Sequence, residues 1–288
     1  MNLIRPIVIL FLLTAYTYAD KIIFTLHSTK VENANVVLVT AKSKERYGLK
    51  AMLEDKEIAF NKHPFKNDSF YALIPFHYFM KQKKHQVIVT YKIEDKEYFE
   101  EFKIDLYEDN FEQEEIKVNH SKVSLSSKNK KRVRKEYVRA MEVYTSVTPE
   151  NYWYEDFIYP VNASITSNFG TKRVYNNTIK SYHTGIDFKA RINTKIHAAN
   201  NGIVRVAKNR FYAGNSVVID HGQGVFTCYF HLNKIFVSVG DFVQKSDIIG
   251  LSGNTGRTTG PHLHFATFVN GIQINPVKLL DLLNSLNN

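Results

Sequence analysis

Residues 215–220, 225–230, 235–239 and 263–269 are short runs rich in β-branched and aromatic residues, separated by Gly and turn-forming positions. The gaps are too short for crossover helices, so these runs predict a mostly antiparallel sheet. The N-terminal half has a similar texture. Runs at 22–26, 35–40, 70–74 and 86–92 predict strands, and 87–92 with 98–104 flank Glu94-Asp95-Lys96 as a hairpin. Strands at this spacing predict a small β-sandwich of immunoglobulin-like type, although no cysteine–tryptophan signature accompanies it. The fold expected is therefore mainly β.

Between these halves the texture changes. Lys128 to Lys135 is a dense basic run, after which Val133, Tyr137, Ala140, Met141 and Tyr144 recur at helical spacing. A linker helix with its apolar stripe on a neighbouring domain is expected over 120–150. The division that follows is 1–19, 20–119, 120–150 and 151–288. Residues 1–19 read as a signal peptide: Arg5 in a basic start, an apolar run from Ile7 to Leu13, and Thr17-Tyr18-Ala19 as cleavage site. That run is shorter than the ~20 residues of a membrane span, so no stable transmembrane insertion is expected after cleavage. The formal charge of +10 favours acidic partners. For an exported chain these are anionic wall or membrane, met through the basic linker, and not nucleic acid.

Cys228 is the only cysteine. Internal disulfides are excluded, and a metal site must be built from histidine and carboxylate. Five of the eleven histidines fall in or beside the C-terminal strands: His183, His221, His231, His262 and His264. In His183-Thr184-Gly185-Ile186-Asp187, a fully extended chain would hold the two Cα atoms about 13 Å apart. A bend at Gly185 is needed for both to reach one ion. In Gly260-Pro261-His262-Leu263-His264-Phe265 the histidines stand at i and i+2, so alternation turns both to one face. Tyr229-Phe230-His231-Leu232 brings another histidine to a strand end. Two histidines, one aspartate and an open position form the pattern of a catalytic zinc site. His221, His197 and Cys228 are read as structural, as are the scattered His27, His63, His77 and His85.

The segment from Ser167-Asn168-Phe169-Gly170 through Pro276 resembles the catalytic domain of the lysostaphin/LytM-type zinc metallopeptidases. The matching stretches are His183-x-x-x-Asp187, 215–222 (NSVVIDHG), Tyr229-x-His231-Leu232, 250–256 (GLSGNTG) and 260–265 (GPHLHF). The resemblance implies that His183, Asp187 and His264 bind Zn2+, with His231 and His262 as unliganded catalytic histidines. His262 is assigned as general base because its i+2 neighbour is a ligand, and His231 as the group serving the oxyanion or leaving amine. The residues themselves do not order these two roles. Phe230 replaces a residue usually small in the family, and Arg257 one usually small or polar; both are expected to alter cleft shape and not metal binding. The implied activity is a peptidoglycan endopeptidase, cleaving between D-alanine and diaminopimelate, in the periplasm or secreted, for wall remodelling or cell shape. The alternative is a non-hydrolytic wall-binding regulator or an activator of another wall hydrolase.

Overall fold

A computed structural model describes residues 22–44, 47–116, 125–175 and 179–287. The expected signal peptide therefore lies outside the described residues. The N-terminal half builds two packed sheets. One runs in the order Ile23–Leu26, Val36–Lys42, Ser69–Pro75, Asn61–Lys62. The other runs Lys30–Glu32, Lys96–Tyr107, Lys84–Ile93, Lys50–Leu53, Lys56–Ala59. With the first strand split between sheets, this is the strand order of an immunoglobulin-like sandwich. The predicted hairpin forms at Lys84–Ile93 and Lys96–Tyr107, with Glu94 in the left-handed conformation its tight turn requires.

The two sheets differ in burial. Along 84–89 of Lys84–Ile93, exposed and buried residues alternate, as in a sheet with one face in water. Val36–Lys42 and Ser69–Pro75 are buried almost throughout, so both faces of that sheet are covered. Val37, Val39, Ala72 and Ile74 fill the sandwich interior. Val36, Leu38, Tyr71 and Leu73 point the other way, into the core of the C-terminal half. Polar contacts follow the same seam. Asn275 N–H donates to the Ala34 carbonyl at 2.9 Å, Tyr78 OH donates to the Gly170 carbonyl at 2.9 Å, and Lys278 pairs with Glu32 and Asp109. Tyr78 also stacks on Tyr182 at 3.8 Å between centroids.

This shared core gives a stability prediction. Burying an aliphatic or aromatic side chain contributes about 1.5–3 kcal/mol, and at least four from the sandwich are buried across the seam. A 151–288 fragment is expected to be at least ~5 kcal/mol less stable than the full chain in urea unfolding. Equal stabilities would show that the seam contributes nothing.

The C-terminal half is a sheet running Ile165–Ser167, Ile186–Phe188, Leu263–Val269, Val225–Ile235, Gly214–Asp220, Gly202–Arg210, Phe242–Val243, antiparallel at every step as expected. Residues 236–239 form no separate strand; Ile235 ends the long strand Val225–Ile235. A smaller pair, Lys195–His197 with Ile248–Ser252, joins it. Tyr229, Phe265, Val217 and Ile219 face the main core. Helix α1, Ser127–Tyr144, is capped by Ser126 and covers part of the opposite face, where Ala140 and Tyr144 pack on Val206, Val218, Phe226, Cys228, Ala266 and Phe268. Helix α2, Pro276–Ser285, was not expected from periodicity. Its signal was Asn275-Pro276, a side-chain cap followed by proline at the first turn, and Leu279, Leu280 and Leu283 anchor it in the core. No helix among the described residues is long and apolar enough to cross a membrane.

Candidate metal centre

The site sits on the sheet face that α1 partly covers. In Ile186–Phe188, Ile186 and Phe188 face the core, so Asp187 faces outward; it lies directly across the ladder from His264. On the next strand Phe230 pairs with His264 and shares that face. His183 precedes this strand, and its N–H donates to the Thr171 carbonyl at 2.9 Å. The bend through Thr184 and Gly185 folds His183 back over Asp187. Gly185 is not left-handed, so the requirement is one of space: a Cβ there would lie 2.6 Å from His264 Nε2. Only glycine lets that imidazole pass so close to the backbone.

Three donor atoms meet at this point. His183 Nε2 lies 3.0 Å from Asp187 Oδ1 and 3.0 Å from His264 Nδ1, and His264 Nδ1 lies 2.8 Å from Asp187 Oδ1. His183 Nδ1 is 2.8 Å from the Asn168 carbonyl, which can only accept, so the ring proton of neutral His183 sits on Nδ1. Its Nε2 then presents a lone pair to a carboxylate oxygen and to a second imidazole nitrogen. Such a cluster is repulsive unless a proton or a cation lies at its centre. Ligands at about 2.0–2.1 Å in a tetrahedron stand about 3.3–3.4 Å apart, so a small outward shift of the donors separates the observed triangle from a zinc site. No other cluster of three or more His, Cys, Asp or Glu side chains among the described residues meets the same closeness. The donor set fits zinc, with soft sulfur absent and a position left open.

Two further histidines face the same point. His262 Nε2 is 3.7 Å from Asp187 Oδ1, and the His231 ring lies 4.8 Å from the His262 ring and 6.0 Å from the His264 ring. Strict alternation would turn His231 to the core with Tyr229. Instead the ladder slips between Asn215 and Val217, and His231 takes a φ of 62°. This bulge re-aims the side chain into the site, at the cost of a left-handed non-glycine residue. Each ring is then fixed by a carbonyl: His231 Nδ1 is 2.8 Å from Thr255 O, and His262 Nδ1 is 2.9 Å from Gly260 O. Both neutral rings therefore present an unprotonated Nε2. The glycine-rich turn 250–260, expected to bring backbone beside the cleft, supplies these carbonyls.

Burial would by itself raise the Asp187 pKa, but the adjoining His183 and His264 rings hold its carboxyl well below the usual range. Burial pushes His264 down to about 4, against the pull of Asp187. It pushes His231 down to about 3, with the neighbouring charges of His264 and His262 acting in the same direction. His221 is also lowered to about 4 by burial, opposed by its hydrogen bond to the Asn201 carbonyl. His221 stands apart from the metal site, at 2.6 Å from Asn201 O and 2.7 Å from Thr227 Oγ1, as a structural residue would. An unfolded histidine titrates near 6.5, so the unfolded chain takes up these protons first. The stabilisation is present above pH 6.5 and is lost as pH falls toward 4 and 3. Chelator-treated protein is expected to lose about 2 kcal/mol for each of His264, His231 and His221 between pH 7.5 and 5. Urea unfolding at the two pH values measures this; a flat profile would contradict it.

Phe230 was expected to affect only cleft shape. It stacks on His264 at 5.4 Å, nearly parallel, and Arg210 lies over its other face at 4.6 Å. The departure thus touches a donor ring directly. Arg257 lies over the Tyr212 ring at 4.1 Å. Sequence reasoning missed Arg173, whose Nη2 is 3.7 Å from Asp187 Oδ2 while its Nε pairs with Glu114 at 2.5 Å. No spacing rule links residue 173 to 187; only the pairing of Lys172–Tyr175 with Ile179–Tyr182 brings them together.

Residues 181–276 match the peptidase family M23. This segment is a peptidase M23 domain. The chain is 45% identical over 123 residues to peptidoglycan DD-endopeptidase ShyA of Vibrio cholerae, covering 42% of this chain and 29% of that one. It is 33% identical to the catalytic domain of lysostaphin from Staphylococcus simulans, covering 42% of this chain and 93% of that one, with a TM-score of 0.38. A crystal structure from Pseudomonas aeruginosa assigned to peptidase M23 superposes with a TM-score of 0.67, covering 86% of this chain and 94% of that one at 22% identity. That likeness is one of fold, and it extends beyond the M23 domain into the N-terminal half. The chain spans less than a third of the length of the curated relatives it matches. M23 peptidases are zinc-dependent, in agreement with the donor triangle.

Proposed function

We propose that the chain is a zinc endopeptidase that hydrolyses peptide cross-links of bacterial peptidoglycan, between D-alanine and diaminopimelate. The observation that carries this reading is the convergence of His183, Asp187 and His264 with two carbonyl-fixed imidazoles on one face of an M23 domain. The curated relatives named peptidoglycan DD-endopeptidases support the substrate class. His183 through Nε2, Asp187 through Oδ1 and His264 through Nδ1 would hold the ion. When bound, zinc polarises the scissile carbonyl and lowers the pKa of a water toward 7. His262, held with Nε2 unprotonated, accepts the proton of the attacking water. The proton taken from water ends on the leaving amine, and His231, facing the same point, serves the oxyanion or that amine.

Such an enzyme works outside the cytoplasm, and the basic start, apolar run and small-residue site of 1–19 support export to the periplasm and a part in cell-shape control. A regulator without hydrolytic activity has no observation in its favour, because all five positions are filled. The test is mass spectrometry of cross-linked muropeptides incubated with zinc-loaded and chelator-treated chain. Dimers should fall to monomers only with zinc present. Intact dimers in both samples would refute the proposal.

A further inference from the structure

Helix α1 carries an arrangement that its own stability does not explain. Seven of its eighteen residues are cations (Lys128, Lys130, Lys131, Arg132, Arg134, Lys135 and Arg139), all exposed, against two carboxylates, Glu136 and Glu142. This net +5 is half the formal charge of the whole chain. The first turn holds no acidic residue, and the cations crowd toward the N-terminal end. That end already bears the positive pole of the helix dipole, where acids stabilise and bases do not. Arg132 is paired with Glu136 at 2.7 Å. The helix also bears an exposed Tyr137 and Val138.

Its position supplies the second observation. The helix lies on the same sheet face as the metal centre, since Cys228 and Phe230, and likewise His264 and Ala266, alternate to one side of their strands. A run of contacts joins the two. Phe230 stacks on His264, Arg210 covers Phe230, and Arg210 Nη1 donates to Tyr144 OH at 3.2 Å. The basic half abuts a cleft wall directly: Arg132 Nη2 donates to Asn209 Oδ1 at 3.2 Å and Glu136 accepts from Phe211 N at 2.8 Å. Two residues on, the Ala213 carbonyl holds His231 N at 2.8 Å.

We infer that the cationic face of α1 is an extension of the substrate groove, which binds intact peptidoglycan through the free carboxylates of its peptide stems. This rests on the substrate class proposed above. A polymer crossing the cleft meets the basic half of α1 at the rim beside His231, and its carboxylates complement the exposed lysines and Arg134. The arrangement accepts a small loss of helix stability in exchange for holding an insoluble polyanion next to the donor cluster.

The test uses the full chain stripped of metal, so that binding is read without hydrolysis. Co-sedimentation with purified sacculi at low salt is compared for the wild type, for a variant with Lys128→Gln, Lys130→Gln, Lys131→Gln, Arg134→Gln and Lys135→Gln, and for a control with Lys84→Gln, Lys96→Gln and Lys103→Gln on the sandwich. The helix variant should bind about tenfold more weakly or worse, with a thermal midpoint equal to or above the wild type because cations leave the positive dipole end. The control should bind as the wild type does. Salt near 1 M, where the Debye length is about 3 Å, should release the wild type. Equal binding by the helix variant would overturn the inference. So would wild-type protein that binds vesicles of anionic phospholipid but not sacculi. Failure of the zinc-loaded wild type to split soluble dimers, with sacculus binding intact, would count against the endopeptidase reading and leave the surface standing.

Discussion

Alanine at Asp187 or His264 is expected to abolish zinc retention and, with it, hydrolysis. Each supplies one of only three donor atoms, and the triangle they form has edges of 2.8–3.0 Å. Loss of one donor from a three-donor site should cost on the order of 3–5 kcal/mol, a fall of roughly 10²–10⁴ in affinity. Asp187 carries the further burden of charge. Without it, a dication would be held by two neutral rings, with Arg173 close by. Asp187→Asn, which keeps the shape and removes the charge, should therefore resemble Asp187→Ala. Competition against a chromophoric chelator measures the affinity directly. Wild-type affinity in either variant would show that the donors lie elsewhere.

Alanine at His231 or His262 should give the opposite split. Neither ring lies in the triangle, and each is held by its own backbone carbonyl, Thr255 O or Gly260 O. Zinc affinity should stay within a few-fold of wild type while kcat falls by about 10²–10⁴, the usual contribution of a positioned acid or base. The double variant should be little worse than the weaker single one, because the two rings serve one proton transfer in sequence. The pH profiles distinguish the two roles. Loss of the base should remove the limb that rises from acid, and loss of the acid the limb that falls toward alkali. A variant that loses zinc with its activity would instead mark the missing ring as a ligand.

Much of this site is legible from spacing, for local reasons. Period-two alternation places His262 and His264 on one side of the chain whatever they pack against. His183 and Asp187 lie within four residues, so their approach needs only one local bend. Short gaps between strands force antiparallel pairing before any partner is known. The basic run and the helical spacing of Ala140 and Tyr144 likewise mark α1 as a helix with one apolar face.

What spacing could not supply depends on which distant segment arrives where. Alternation would point His231 into the core; a bulge set by its pairing with Gly214–Asp220 turns it outward. Arg173 reaches Asp187 only because a hairpin lies beside the cleft. The carbonyls that fix three imidazoles belong to Asn168, Thr255 and Gly260, and a backbone carbonyl leaves no mark in composition. The continuous burial of Val36–Lys42 and Ser69–Pro75 was visible as apolar character, but not what covers the second face. The sequence by itself determined which residues could share a face, because that follows from backbone geometry over a few residues. Only the tertiary structure decided which faces meet, because burial and ladder register are settled by the whole chain at once.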